Sequence, residues 1–262
     1  ISTFTGLIFA ERIKDLATLA GVRNNQLVGY GLVVGLNKTG DRSKSTQNAQ
    51  WNLIQNMGGR LDSENDIKGT NAAAVLVTAL VPPFAKPGDP LDVIVSSMAD
   101  AKSLEGGVLI STQLMAPNGE IVALAQGPLS TGGVSEEGGG SSKRTAITTT
   151  GRIPGGAIME REIYTDIGDD TGLELVMNRT DFTLASRVAQ VVGQKLAPAK
   201  AVDGTTIRIQ FPDKYVDDRV AFIAQLENLT VDSTIEVAKV VVNERTGTIV
   251  IGNNVRLLPA AV

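Results

Sequence analysis

The sequence predicts an α+β fold, with a β-rich N-terminal domain followed by a βαβαβ open-faced sandwich module. Three observations predict it. Short apolar runs punctuated by glycine fill the first half of the chain, and 28 glycines are spread along its 262 residues. A Gly- and Ser-rich stretch interrupts them at residues 131–150. Beyond it, runs of period two and period 3.6 alternate as strand, helix, strand, helix, strand.

Residues 1–10 form a short apolar run that Glu11 and Arg12 follow at once. This is the pattern of a secretory leader remnant or of an ordinary N-terminal strand. If the segment is retained, Phe4, Leu7, Ile8 and Phe9 are expected to pack, because exposed they would form an apolar patch. Residues 11–130 are expected to be one β-rich domain. Leu27–Leu36 reads as a strand with Gly29, Gly31 and Gly35 relieving crowding, and Thr39-Gly40-Asp41 closes it. Trp51, Ile54 and Met57 recur at helical spacing within residues 46–59, where Gly58 stops the run. Ala72–Leu80 and Leu91–Ser97 read as strands separated by Pro82-Pro83 and by the turn at Pro87-Gly88-Asp89-Pro90. Val108–Met115 and Ile121–Ala125 flank Pro117-Asn118-Gly119-Glu120, a hairpin signal.

The stretch 131–150 is too polar and glycine-rich to order itself by burial, so it is expected to be a loop or linker. Residues 151–171 are expected to be a connecting β segment, and residues 172–242 to form the module. In it, a strand at 173–177 precedes a helix capped by Thr180 or Asp181, with Leu184, Val188, Val191 and Val192 on one face. A strand at 205–211 precedes a helix opened by Pro212 and Asp213, with Val216, Val220, Ile223 and Leu226 on one face. The last strand is expected at 238–242, followed by a hairpin and a truncated C-terminal part over 243–262.

The chain has no Cys and no His, which excludes thiolate and imidazole zinc sites, Cys nucleophiles and His general bases. A net charge of −4 and 4% aromatics argue against a nucleic-acid binder. No run reaches the roughly 18 apolar residues of a membrane span. Gly29-x-Gly31-x-x-x-Gly35 lies within a strand and has its third glycine one place late for a dinucleotide fingerprint. The acidic pairs Asp169-Asp170, Asp217-Asp218 and Glu160 with Glu162 read as turn, helix-start and strand residues. No cofactor, metal or catalytic residue is assigned.

Long strings then point to one family. Arg12-Ile13-Lys14-Asp15-Leu16, the run from Gly21 to Leu36, Thr39-Gly40-Asp41, Ala73–Ala79, Pro82-Pro83-Phe84 and Asp100-Ala101-Lys102-Ser103-Leu104 resemble flagellar basal-body P-ring proteins. So do Ala125-Gln126-Gly127, Gly151-Arg152-Ile153-Pro154, Glu160-Arg161-Glu162 and Val241–Thr248. Lys38 stands where that family often has a small residue, and residues 46–67 match loosely. Family members continue past the position of Val262, so the sequence is expected to be truncated or partial.

The resemblance implies a non-enzymatic structural subunit that forms a closed homo-oligomeric ring around the distal rod. It implies the periplasm, the peptidoglycan layer, the L-ring protein and a periplasmic chaperone as surroundings and partners. A second reading, from another class, is a periplasmic peptidoglycan- or carbohydrate-binding module or hydrolase. Within the first reading, Lys68 and Lys102 are the candidate rod-facing residues, expected on exposed loops. The first 110 residues hold ten basic and ten acidic residues, so a few placed lysines must supply any attraction to a partner.

Overall fold

A computed structural model describes residues 9–60, 67, 69–132, 147–165, 167–169, 172–212, 215, 218–233, 240–243 and 247–251. The chain divides into two units, Arg23–Thr165 and a second made of Ile1–Val22 with Asp166–Val262.

The first unit is a closed six-stranded antiparallel barrel. Its strands are β3 (Asn25–Val34), β4 (Ala72–Val81), β5 (Pro90–Ser97), β6 (Val108–Met115), β7 (Ile121–Pro128) and β8 (Thr150–Met159). They are ordered β3-β4-β5-β8-β7-β6 around the wall. Two three-stranded meanders thus meet along two seams, β3 with β6 and β5 with β8. Alternation aims one face of each strand inward. Leu27 and Val33, Val75 and Val77, Val93 and Val95, Leu109 and Leu114, Ala125, Ile153 and Met159 fill the interior. Gly29 and Gly31 also point inward, and the side chains of Leu114 and Leu109 occupy the room they leave. This is the physical basis of the glycine spacing in β3.

The Pro117-Asn118-Gly119-Glu120 turn joins β6 to β7. Gly119 takes a φ of 85°, its N–H donates to the Ala116 carbonyl at 2.9 Å, and Ala116 N–H donates to Glu120 O. Helix α2 (Lys44–Asn56) starts at Ser43, whose hydroxyl accepts the Thr46 N–H, and ends before Gly58 at φ 82°. It lies across the outer face of β3 and β4. The outward-facing Leu32 and Ala74 of those strands are buried.

The second unit has a four-stranded antiparallel sheet, ordered β10 (Ala199–Ala201), β11 (Thr206–Gln210), β9 (Gly172–Met177) and β2 (Ala17–Leu19). Leu173, Leu175, Met177, Ile207 and Ile209 point to the buried side. They meet Ala185, Val188, Ala189 and Val192 of α3 (Phe182–Lys195), Phe222 and Leu226 of α4 (Arg219–Asn228), and Ile13 of the single-turn α1 (Ile13–Leu16). Asp181 caps α3 by accepting the Leu184 N–H at 3.0 Å. The other side of the sheet carries the exposed Glu174–Arg208 ion pair.

Several boundaries differ from those expected. β8 is a wall strand of the barrel and not a connector, because closure requires a sixth strand between β5 and β7. Residues 11–22 group with the second unit: β1 (Phe9–Arg12) pairs with β12 (Thr230–Ser233), and β2 is an edge strand beside β9. The segment expected as the module's last strand lies instead in a separate hairpin, β13 (Val240–Asn243) with β14 (Thr248–Ile251). Helix α4 begins at the Asp218 cap and turns Phe222 inward, leaving Val220 exposed. Phe211 and Tyr215 pack around the Phe222 ring, both at 5.3 Å between centroids, and this aromatic cluster sets the helix phase. Residues 1–8, most of the 131–150 stretch and Val216 lie outside the described residues.

Candidate interaction site at one end of the barrel

Three connections leave the barrel at the same end: β3 to β4, β5 to β6 and β7 to β8. The β5–β6 connection must cross that end, since β5 and β6 are not neighbours. Two buried side chains, Ala101 and Leu104, hold it down. Its backbone is tied on both sides. Lys102 N–H donates to the Thr39 carbonyl at 2.7 Å, and Leu104 N–H donates to the Thr148 carbonyl at 2.8 Å. Ser103 Oγ accepts the Glu105 N–H. With its neighbour Ala101 pointing in, Lys102 points into solvent, and it is exposed. A long ammonium side chain on a pinned loop is presented at a defined place without being immobilised itself.

The β3–β4 connection is organised by a buried carboxylate. Asp41 accepts from Ser43 N–H at 3.1 Å and Ser43 Oγ at 2.9 Å through Oδ1, and from Ala74 N–H at 3.1 Å through Oδ2. These bonds dock the connection onto β4, as the burial of a charge requires. Burial, and secondarily the Asp41 charge, holds the nearby Tyr30 phenol above its ordinary pKa. Lys38 sits in this connection, exposed and at a φ of 60°. Its backbone N–H donates to Leu36 O and to Asn71 Oδ1. Lys38 adjoins Thr39, so it lies beside the Lys102 loop. The sequence signalled Lys38 only as a departure from a small residue; its partnership with Lys102 required the fold. Lys44, at the first position of α2, adds a further exposed cation to this connection. Lys68 lies in the same connection, outside the described residues.

Elsewhere, three of the acidic residues singled out from sequence are engaged locally: Glu162 pairs with Lys86, Asp218 caps α4, and Asp169 accepts the Gly172 N–H. Asp170 and Asp217 lie outside the described residues. Asp169, Glu174 and Arg208 line an open cleft of about 590 Å³, where Glu174 is taken up by Arg208 and raises the guanidinium pKa. Asp92 is held below the ordinary carboxylate range by the Gly155 N–H and by Arg152. Asp203 is lowered to about 2 by the Thr205 and Thr206 donors of its own turn. Among the described residues no group of three potential ligands could hold a metal, and no helix is long and apolar enough to cross a membrane.

The family model of the flagellar P-ring protein matches residues 12–262. The chain is 49% identical over 258 residues to "Flagellar P-ring protein 1" of Cereibacter sphaeroides, covering 97% of this chain and 69% of that protein. It is 47% identical over 257 residues to the flagellar P-ring protein of Vibrio vulnificus, covering 97% and 70%, and equally identical over 256 residues to that of a Shewanella species. With the match extending through both units, the chain belongs to the flagellar P-ring protein family.

Proposed function

We infer that this chain is a structural subunit of the P ring of the bacterial flagellar basal body, in the periplasm. The observation that carries this is the family match through nearly the whole chain. Copies assemble into a closed ring around the distal rod at the peptidoglycan layer, next to the L-ring protein and with help from a periplasmic chaperone. The subunit acts by shape and charge and performs no catalysis. The barrel unit is the β-rich ring domain, and the β10-β11-β9-β2 sheet with α3 and α4 is the open-faced module.

Lys102 faces the rod from the loop-bearing end of the barrel, and Lys68, outside the described residues, is the second rod-contacting lysine of this reading. In support, Lys102 is exposed on a loop fastened to Thr39 and Thr148. A ring must hold a rod without a sticky apolar seam, and placed cations align a partner at range. Each exposed contact is weak, about 0–1 kcal/mol, and repetition around a ring multiplies it. The test is the double variant Lys68→Glu, Lys102→Glu in cells lacking their own copy. Motility and the P-ring content of isolated basal bodies should fall well beyond either single change, with circular dichroism unaltered. Normal motility at normal protein levels refutes the assignment.

A further inference from the structure

The six wall strands carry two charged residues, Asp92 and Arg152, and these pair with each other. The chain as a whole is 20% charged. A barrel wall facing water permanently should have polar and charged residues at its outward positions. Here the outward positions of β3, β4 and β5 hold Val28, Tyr30, Leu76, Leu80 and Ile94, between 38% and 58% exposed. The register makes them contiguous. Tyr30 stands opposite Leu76, Thr78 lies between Val28 and Ile94, and Leu80 stands opposite Gln26. Helix α2 bounds the patch on one side, where Tyr30 donates to the Ser45 carbonyl at 3.3 Å, and the Asp92–Arg152 pair bounds it on another.

We propose that this β3–β4–β5 face is the surface by which one subunit packs on a different surface of the next copy in the ring, a proposal that rests on the ring-subunit reading. The area fits. A stable contact covers about 800 Å² per partner, a little over half of it apolar. Five large side chains exposed to this degree present on the order of 400 Å², about the apolar share of such a contact and within the range of a monomer's largest, often functional, patch. The charge pattern selects the same occupant. A rod held through lysines meets the loop-bearing end, not an uncharged wall. A bilayer needs a continuous apolar band, and α2 lying across β3 and β4 interrupts one. A head-to-tail contact between copies needs an uncharged, shape-fitting face that repeats by rotation.

These 262 residues include no cysteine, so among them a thiol introduced at Thr78 is unique. Thr78→Cys and Tyr30→p-benzoylphenylalanine chains are produced in cells lacking their own P-ring protein, and basal bodies are isolated. Three results are expected. Maleimide labelling of Thr78→Cys drops at least tenfold between free subunit and ring. Irradiation joins Tyr30→p-benzoylphenylalanine to a second copy of the chain. Ile94→Glu lowers ring recovery at least tenfold while leaving the free subunit's Tm and circular dichroism unchanged. If Ile94→Glu fails to fold, labelling and cross-linking still decide. A chain found in rings whose thiol stays as reactive as in the free subunit overturns this face and leaves the ring reading standing. So does a photoproduct with a rod protein, the L-ring protein, lipid or the same molecule. Absence of the chain from any ring overturns both.

Discussion

Replacing Gly29 by alanine tests the account of the barrel seam. The added methyl would point inward against the Gln113 carbonyl oxygen of β6, with Leu114 Cδ2 at 2.7 Å. The first obstacle is backbone and cannot rotate away, so β3 and β6 must part or Leu114 must leave its rotamer. Overpacking of this kind costs about 1–3 kcal/mol. The stiffer unfolded chain returns about 0.4–1 kcal/mol. The net loss is about 1–2 kcal/mol, which lowers Tm by roughly 2–8 °C in a domain of this size. Gly31→Ala should cost less, because its methyl meets only side-chain atoms, Thr112 Oγ1 at 2.6 Å and Leu109 Cδ1 at 3.0 Å. Trp51 is the sole tryptophan and sits in α2 against the barrel, so its fluorescence in urea reports this unit. The midpoint should fall at constant slope. An unchanged or raised midpoint for Gly29→Ala, or a larger loss for Gly31→Ala, refutes the seam argument.

In the other unit, the exposed Gly193 lies in α3 with nothing within 4 Å of an added methyl, so Gly193→Ala should raise stability by about 0.5–1 kcal/mol in thermal unfolding. Asp41→Ala should cost about 1–3 kcal/mol, since Ser43 N–H loses its acceptor at a part-buried site; urea melts of Asp41→Ala and Asp41→Asn should show a smaller loss for the amide. Asp203 has a depressed folded pKa, so its contribution is present above the ordinary value of 3.8 and lost as pH falls through about 2. The stability gap between wild type and Asp203→Ala should accordingly shrink across that acidic window in acid titrations followed by circular dichroism. A gap constant with pH would show that the turn's donors do not favour the ionised carboxylate.

Local chemistry determined much of this protein from sequence alone. The α+β class follows from strand-period and helix-period runs, the β6–β7 hairpin from Asn118-Gly119, the end of α2 from Gly58, and the start of α3 from the Thr180-Asp181 pair, of which Asp181 is the cap. These signals act between residues a few positions apart, so composition and spacing reveal them. The family was legible too, because its strings are long. Tertiary structure decided whatever depends on residues far apart in the chain. Barrel closure by β8, the pairing of β1 with β12 and the insertion of β2 beside β9 join segments that no local period connects. The α4 face was set by Phe211 and Tyr215 around Phe222, against the aliphatic periodicity of the helix itself. The candidate site divides the same way. Lys102 stood out in the sequence as an exposed loop lysine, but its fastening to Thr39 and the neighbouring Lys38 arise only when the β5–β6 crossover closes the barrel end. Closing a long loop costs conformational entropy that only distant contacts repay, and those contacts are specified by the packed core as a whole and by no single segment of it.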